Sequence, residues 1–329
     1  MNTEARATVI MTTKNKKIPI TIITRDGRKM LSVKGSSVIA LGTFDGVHVA
    51  HQALINSALE LKKNIGADLM GVWCFEESPT SKLNGEPVPP LTSKEEKLSL
   101  LFSLGADFVA MGRFEDLRDL PAEDFIDSIL RQRLASIATV CGFNHRFGHR
   151  GLGTPSMLTE AFGDDRAVTV PEIKLDGETV STSATRKHLL RGEVEIANQM
   201  LGRRFALRAT VAEGKKLGRK IGFPTANQRF SSNRLLLKRG VYATICKLDD
   251  GECFYGVSNV GIRPSIKTQD DHSINCETYI IDFSRDLYGK TVTVEFCKYL
   301  REEKSFSSIE ELTKAIENDK NKALAYFNA

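Results

Sequence analysis

Apolar positions in the first half of the chain follow two alternating rhythms. Short apolar runs, VIALGTF (38–44), DLMGVWCF (68–75), DFVAMGRF (107–114) and IATVCGF (137–143), read as strands buried on both faces. Between them lie segments with apolar residues at helical spacing. HQALINSALELKKNIG (51–66) ends at Gly66, a helix stop. PLTSKEEKLSLLFSLG (90–105) opens with Thr92 and Glu95 at capping-box spacing. LPAEDFIDSILRQRL (120–134) carries Pro121 near its first turn. Strand and helix in strict alternation predict a parallel sheet covered on both faces.

Beyond about residue 203 the rhythm changes. GVYATICKL (240–248), CFYGVSNVG (253–261), INCETYIIDF (274–283) and KTVTVEFCKYL (290–300) are strand-like and have no helix between them. Turn clusters such as Asp249-Asp250-Gly251 and Tyr288-Gly289-Lys290 separate them. This predicts an antiparallel barrel or sandwich. A helix over 307–327 closes it, with Ser307 and Glu310 at capping-box spacing. The join falls in the helical stretch TRKHLLRGEVEIANQMLG (185–202). The expected division is a flexible tail over 1–17, a first domain over 18–187, a helical linker over 188–203 and a second domain over 204–329.

Length agrees: 329 residues at about 150 per domain suggest two domains. Lys and Arg number 46 against 41 Asp and Glu, a net charge of +5. That surplus is thin for a dedicated nucleic-acid binder and compatible with an enzyme for anionic small molecules. No run approaches the ~18 apolar residues of a membrane span, and Val9-Ile10-Met11 is too short for an export leader. None of the six cysteines forms a C-x-x-C pair, which predicts buried free thiols of a cytoplasmic protein.

The chemistry-bearing residues form two groups. Gly42-Thr43-Phe44-Asp45-Gly46-Val47-His48-Val49-Ala50-His51 stands where a parallel strand turns into a helix. Ligands bind at such strand ends, and a helix N-terminus favours phosphate. His48 and His51, three apart, face the same way and can donate to a phosphate during nucleotidyl transfer. The plainer reading makes Asp45 a cap and the histidines surface residues. In the second half, Gly214 to Asn227 reads GKKLGRKIGFPTAN. Its glycines allow backbone to wrap phosphates, and Arg219 and the lysines offset their charge. Thr225 and Asn227 alternate onto one face of an extended segment and offer hard oxygens to Mg²⁺.

These strings resemble the bacterial bifunctional riboflavin kinase/FMN adenylyltransferase family, also called FAD synthetase. The first is similar to its G-[NT]-F-D-G-x-H-x-G-H signature. PLTSKEEK and CGFNHRFGHRGLG, with Asn144, are similar to its next blocks, and Val180 to Arg186 (VSTSATR) to its I-S-S-T-x-I-R. GKKLGRKIGFPTAN matches its kinase motif G-x-x-x-G-R-x-[IL]-G-F-P-T-A-N. Asn259 to Ser265 (NVGIRPS) resembles N-x-G-x-R-P-T, and the strand around Glu277 resembles the one bearing the family's catalytic Glu. The likeness runs over about 18–326.

The resemblance implies an α/β chain with a Rossmann-like N-terminal nucleotidyltransferase domain. A C-terminal antiparallel β-barrel riboflavin kinase domain with a terminal helix would follow. It implies phosphorylation of riboflavin to FMN with Mg-ATP, then adenylylation of FMN to FAD. The implied catalytic residues are Glu277, His48 and His51. Gly42, Thr43, Phe44, Asp45, Asn144, Ser181, Thr182, Ser183 and Arg186 would bind nucleotide or phosphate in the first domain. Gly214, Gly218, Arg219, Gly222, Pro224, Thr225 and Asn227 would bind ATP in the second, with Mg²⁺ on Thr225 and Asn227. Asn259 and Arg301 would contact the flavin. The expected partners are ATP, riboflavin and FMN, with no nucleic acid and no membrane, in a monomer or weak homo-oligomer. Three departures stand out: Ala50 where the family has Gly, Phe75-Glu76-Glu77-Ser78-Pro79 for a Pro-rich loop, and Thr154 for Asp. They keep open a kinase with an impaired first domain.

Overall fold

The computed structural model describes residues 18–77, 88–213, 218, 221–230, 234–262 and 274–328. Strands β1 (Ile20–Thr24), β2 (Lys29–Met30), β3 (Ser37–Leu41), β4 (Leu69–Phe75), β5 (Phe108–Gly112), β6 (Ser136–Gly142) and β7 (Ala167–Val170) form one sheet of order β2-β1-β5-β4-β3-β6-β7. Strands β3 to β7 are parallel, as the alternating pattern predicts. The sheet is nevertheless mixed, because β1 pairs antiparallel with β5. Together β1 and β2 cover the edge of β5, which would otherwise present unpaired backbone.

Helices pack on both faces. On one lie α1 (Val49–Ile65) and α2 (Lys94–Ser103), whose buried Leu54, Ile55, Ala58, Leu61 and Leu101 meet Val38, Ala40 and Val72. The other carries α3 (Phe125–Arg133), where Phe125, Ile126, Ile129 and Leu130 meet Ile39, Leu41 and Trp73. The helix expected over 120–134 differs in kind. One α-helical turn at Ala122–Asp124 gives way to a π-helix, and Leu134 N donates to Ile129 O, five residues back. α1 ends where expected, at Gly66 in the left-handed region. The α2 cap shifts by one residue. Ser93 and Glu96 form the capping box, because the Thr92 hydroxyl is already engaged with Gly46 N and Asp45.

Helix α4 (Pro155–Phe162) precedes β7. After β7 a small hairpin of β8 (Lys174–Leu175) and β9 (Glu178–Thr179) leads to α5 (Thr182–Arg191) and α6 (Val194–Leu201). The expected helical join is thus two helices, broken at Gly192 in the left-handed region. Six antiparallel strands then close a barrel of order β10-β11-β14-β13-β12-β15. They are β10 (Phe205–Ala212), β11 (Thr225–Phe230), β12 (Gly240–Leu248), β13 (Cys253–Ile262), β14 (Ile274–Ile280) and β15 (Thr291–Arg301). The terminal helix α7 (Ile309–Phe327) packs Ala323 against Val241, Ala243 and Val257. Its N-cap is Ser308 rather than Ser307, whose N–H and hydroxyl donate instead to Glu311.

The two halves share a core. Leu91, from the loop before α2, is buried in the cluster formed by the barrel interior and α5–α6. All six cysteines are free; five are buried, but Cys253 at the start of β13 is exposed, contrary to the reading that buried them all. Among the described residues, no helix is long and apolar enough to cross a membrane.

Candidate functional site

A cavity of about 1250 Å³ opens at the carboxyl ends of the parallel strands. Gly42, Thr43, Asp45, His48, His51, Asn144, Ser181, Thr182, Ser183 and Arg186 all line it. Phe44 does not: it is fully buried beneath the loop, with its ring 4.9 Å from that of His51. Phe44 and Val47 hold φ of 52° and 43°, so the signature loop is strained at two residues that rarely adopt that region.

The two histidines are buried, not surface residues. His48 is the N-cap of α1, and its Nδ1 accepts from His51 N at 3.3 Å. Their rings stack at 3.7 Å and 12°. Burial pushes His48 down to about 4 and His51 well below its ordinary value, the neighbouring ring adding to the effect on His51. Both imidazoles are therefore neutral at neutral pH. An Nδ1 acceptor leaves Nε2–H of His48 as the donor.

Asp45 organises the loop around it. Its Oδ1 accepts from Leu91 N at 2.9 Å and Thr92 N at 3.2 Å, and its Oδ2 from Arg186 Nη2 at 3.0 Å. Its backbone carbonyl accepts from Thr182 Oγ1 at 3.0 Å. Ser181 Oγ is the α5 N-cap, accepting from Ala184 N. Asp45 and Ser181 thus face protein partners, whereas Ser183 is exposed on the cavity wall. Arg186 Nε is buried with no partner among the described residues.

Sequence reading missed the aromatic wall. Trp73, at the end of β4, lines the cavity and packs edge-on to Phe125 at 5.2 Å; Phe75 meets Phe114 at 5.9 Å. The only signal was their position at strand ends. Ala50 also lines the cavity. Glu77 is exposed, and Ser78 and Pro79 lie outside the described residues. Thr154 precedes α4 without capping it through its side chain.

The second group gathers on the barrel. Register places Asn227 on β11, Glu277 on β14 and Asn259 on β13 directly opposite one another in one row. Asn227 Nδ2 donates to Thr225 Oγ1 and O, both at 3.2 Å. Asn275, which sequence reading did not single out, donates to Glu277 Oε1 at 2.9 Å. The Asn275 and Asn259 side-chain carbonyls are buried without a partner among the described residues. Asn259 Nδ2 lies 3.4 Å from Glu303 Oε1. Gly218 cannot carry a side chain, since a Cβ there would stand 2.2 Å from Phe223 O. Gly222 and Pro224 are exposed; Gly214 and Arg219 lie outside the described residues. Arg301 is committed elsewhere. Its Nε and Nη2 bind Asp319 of α7 at 2.8–3.0 Å, its Nη1 donates to Glu302 O, and Asp319 is almost fully buried.

Two family models match the chain, FAD synthetase over residues 31–184 and riboflavin kinase over 201–327. A bifunctional riboflavin kinase/FMN adenylyltransferase of Bacillus subtilis is 33% identical over 299 residues, covering 90% of this chain and 94% of the relative. One from Escherichia coli K12 is 32% identical over 295 residues, covering 88% and 92%. A crystal structure described as a macrolide-efflux protein from Streptococcus pneumoniae superimposes with a TM-score of 0.79 at 26% identity, covering 88% and 94%.

Proposed function

The chain belongs to the bifunctional riboflavin kinase/FMN adenylyltransferase family, and we propose how its two sites divide the work. The barrel phosphorylates riboflavin to FMN with ATP. The parallel-sheet domain adenylylates FMN to FAD. We take 18–187 as the adenylyltransferase domain, 188–203 as the linker and 204–329 as the kinase domain.

The observation that carries the kinase assignment is the row Asn227–Glu277–Asn259 across three neighbouring strands. Glu277 accepts the proton of the riboflavin 5′-hydroxyl as that oxygen attacks the ATP γ-phosphorus; the bond to the β-phosphate oxygen breaks and ADP leaves. Asn275 holds the carboxylate in orientation. The donor set suits Mg²⁺, since Thr225 and Asn227 supply hard oxygens. Bound there, the ion would neutralise charge on the ATP phosphates.

In the cavity, an FMN phosphate oxygen attacks the ATP α-phosphorus and pyrophosphate leaves, with no covalent enzyme intermediate. Catalysis is positioning plus charge stabilisation. His48 and His51 act as neutral groups at the phosphates, His48 donating from Nε2. Arg186, oriented by Asp45, offsets charge. Ala50 on the cavity wall supports a second reading, a kinase with impaired adenylyl transfer. Incubating the protein with riboflavin, ATP and Mg²⁺ and separating the flavins by HPLC decides between them. FAD establishes both reactions, and FMN that never proceeds to FAD establishes the second reading. Neither product overturns both.

A further inference from the structure

Glu96 stands where the two halves of the chain meet. One carboxylate oxygen accepts from Ser93 N at 2.8 Å, closing the α2 capping box, and from Arg234 Nη2 at 2.8 Å. Arg234 lies beyond the end of β11, the strand of Thr225 and Asn227. The pair is largely dry, with 16% and 28% of the two side chains exposed.

The segment just before Glu96 packs against two residues that line the nucleotide cavity, Asp45 and Arg186. Leu91 N and Thr92 N hold Asp45, which holds Arg186, and Arg186 Nη2 also lies 3.4 Å from Pro89 O. Arg186 Nε has no partner among the described residues, so these contacts fix its guanidinium. The barrel thus grips one end of a short segment whose other end aims the cavity's arginine. The linker adds a second contact: Arg203 donates to Val47 O, next to His48, at 3.3 Å.

We propose that Arg234 of the kinase barrel is a positioning residue for adenylyl transfer, fixing Glu96 and, through residues 89–93 and Asp45, the orientation of Arg186. The inference rests on the reading of the cavity as the adenylyl-transfer site. Its logic is that an ion pair in a drained junction has one geometry, and loss of the guanidinium frees the segment.

Trp73 is the single tryptophan of the chain and lines the cavity, so its fluorescence reports ATP binding there. The full chain, Arg234→Met, Arg234→Lys and the double variant Arg234→Met/Glu96→Gln are titrated with ATP and assayed for both reactions. Arg234→Met is expected to weaken ATP binding and FMN adenylylation about tenfold while riboflavin phosphorylation stays within about twofold. Arg234→Lys restores part of the loss. The double variant is no worse than Arg234→Met, because the two side chains act as one unit. Unchanged ATP titration and adenylylation in Arg234→Met overturn the proposal. Equal loss of both reactions also overturns it, since that is a merely structural interface. A wild type that binds ATP at Trp73 but forms no FAD overturns the reading of the cavity, while the titrations still decide the role of Arg234. A wild type whose Trp73 does not respond to ATP and that forms no FAD overturns both.

Discussion

Asp45 and Arg186 meet at 3.0 Å across 141 residues of chain, and among the described residues neither forms another ion pair. The side chains are 8% and 16% exposed, so the pair is shielded from screening. Asp45→Asn keeps an acceptor for Leu91 N and Thr92 N but leaves the Arg186 charge uncompensated. The expected cost is about 2–4 kcal/mol of stability, with adenylyl transfer reduced more than riboflavin phosphorylation. Urea unfolding together with the two assays on one preparation checks this; an Asp45→Asn protein that makes FAD at the wild-type rate contradicts it.

The stacked histidines give stability a pH dependence of known sign. Burial depresses His48 to about 4 from an ordinary value near 6.5. Between those values the unfolded chain binds the proton and the folded chain does not. Stability therefore falls as pH is lowered from about 6.5 toward 4, and His48 alone contributes on the order of 2 kcal/mol of that fall by pH 5. Urea midpoints at pH 7 and pH 5 measure it. His48→Gln is expected to lessen the difference by about the His48 share, leaving that of buried His51; an equally steep fall in the variant assigns the effect to other groups.

Arg301 separates two roles that its motif leaves open. A residue that binds flavin affects the riboflavin KM when changed, whereas one that fastens α7 affects melting. The bidentate contact with buried Asp319 favours fastening. Arg301→Lys breaks the fork geometry, and the expected result is a Tm lowered by several degrees with the riboflavin KM nearly unchanged. Asp319→Asn is expected to lower the Tm in the same direction. A riboflavin KM that rises at constant Tm returns Arg301 to the flavin.

What was legible beforehand follows from range. Strand and helix periods are local, so the parallel strands, α1 and the terminal helix stood in the sequence within a few residues. The α2 cap slipped because Thr92 spends its hydroxyl on Gly46 and Asp45, a contact 46 residues away. Position in a motif suggested Asp45 as a phosphate contact; its protein partners arrive from two distant segments, which the motif itself does not reveal. The row joining Asn227, Glu277 and Asn259 depends on cross-strand register, which no single strand encodes. Asn275 was passed over for the same reason: an amide matters there only because the carboxylate two residues on is turned to meet it.

That row makes the sharpest test of the division between sites. Glu277→Gln preserves shape and keeps an acceptor for Asn275, yet removes the carboxylate that takes the hydroxyl proton. General-base loss of this kind costs about 10²–10⁴-fold, so FMN formation is expected to fall by at least about a hundredfold. Adenylylation of supplied FMN is expected to continue at the wild-type rate, because Glu277 lies on the barrel and the cavity at the end of the parallel sheet. His48→Ala is expected to do the reverse, sparing FMN formation and stopping FAD. If Glu277→Gln instead abolishes both reactions while its Tm holds, the two chemistries share a residue and the proposed division is wrong.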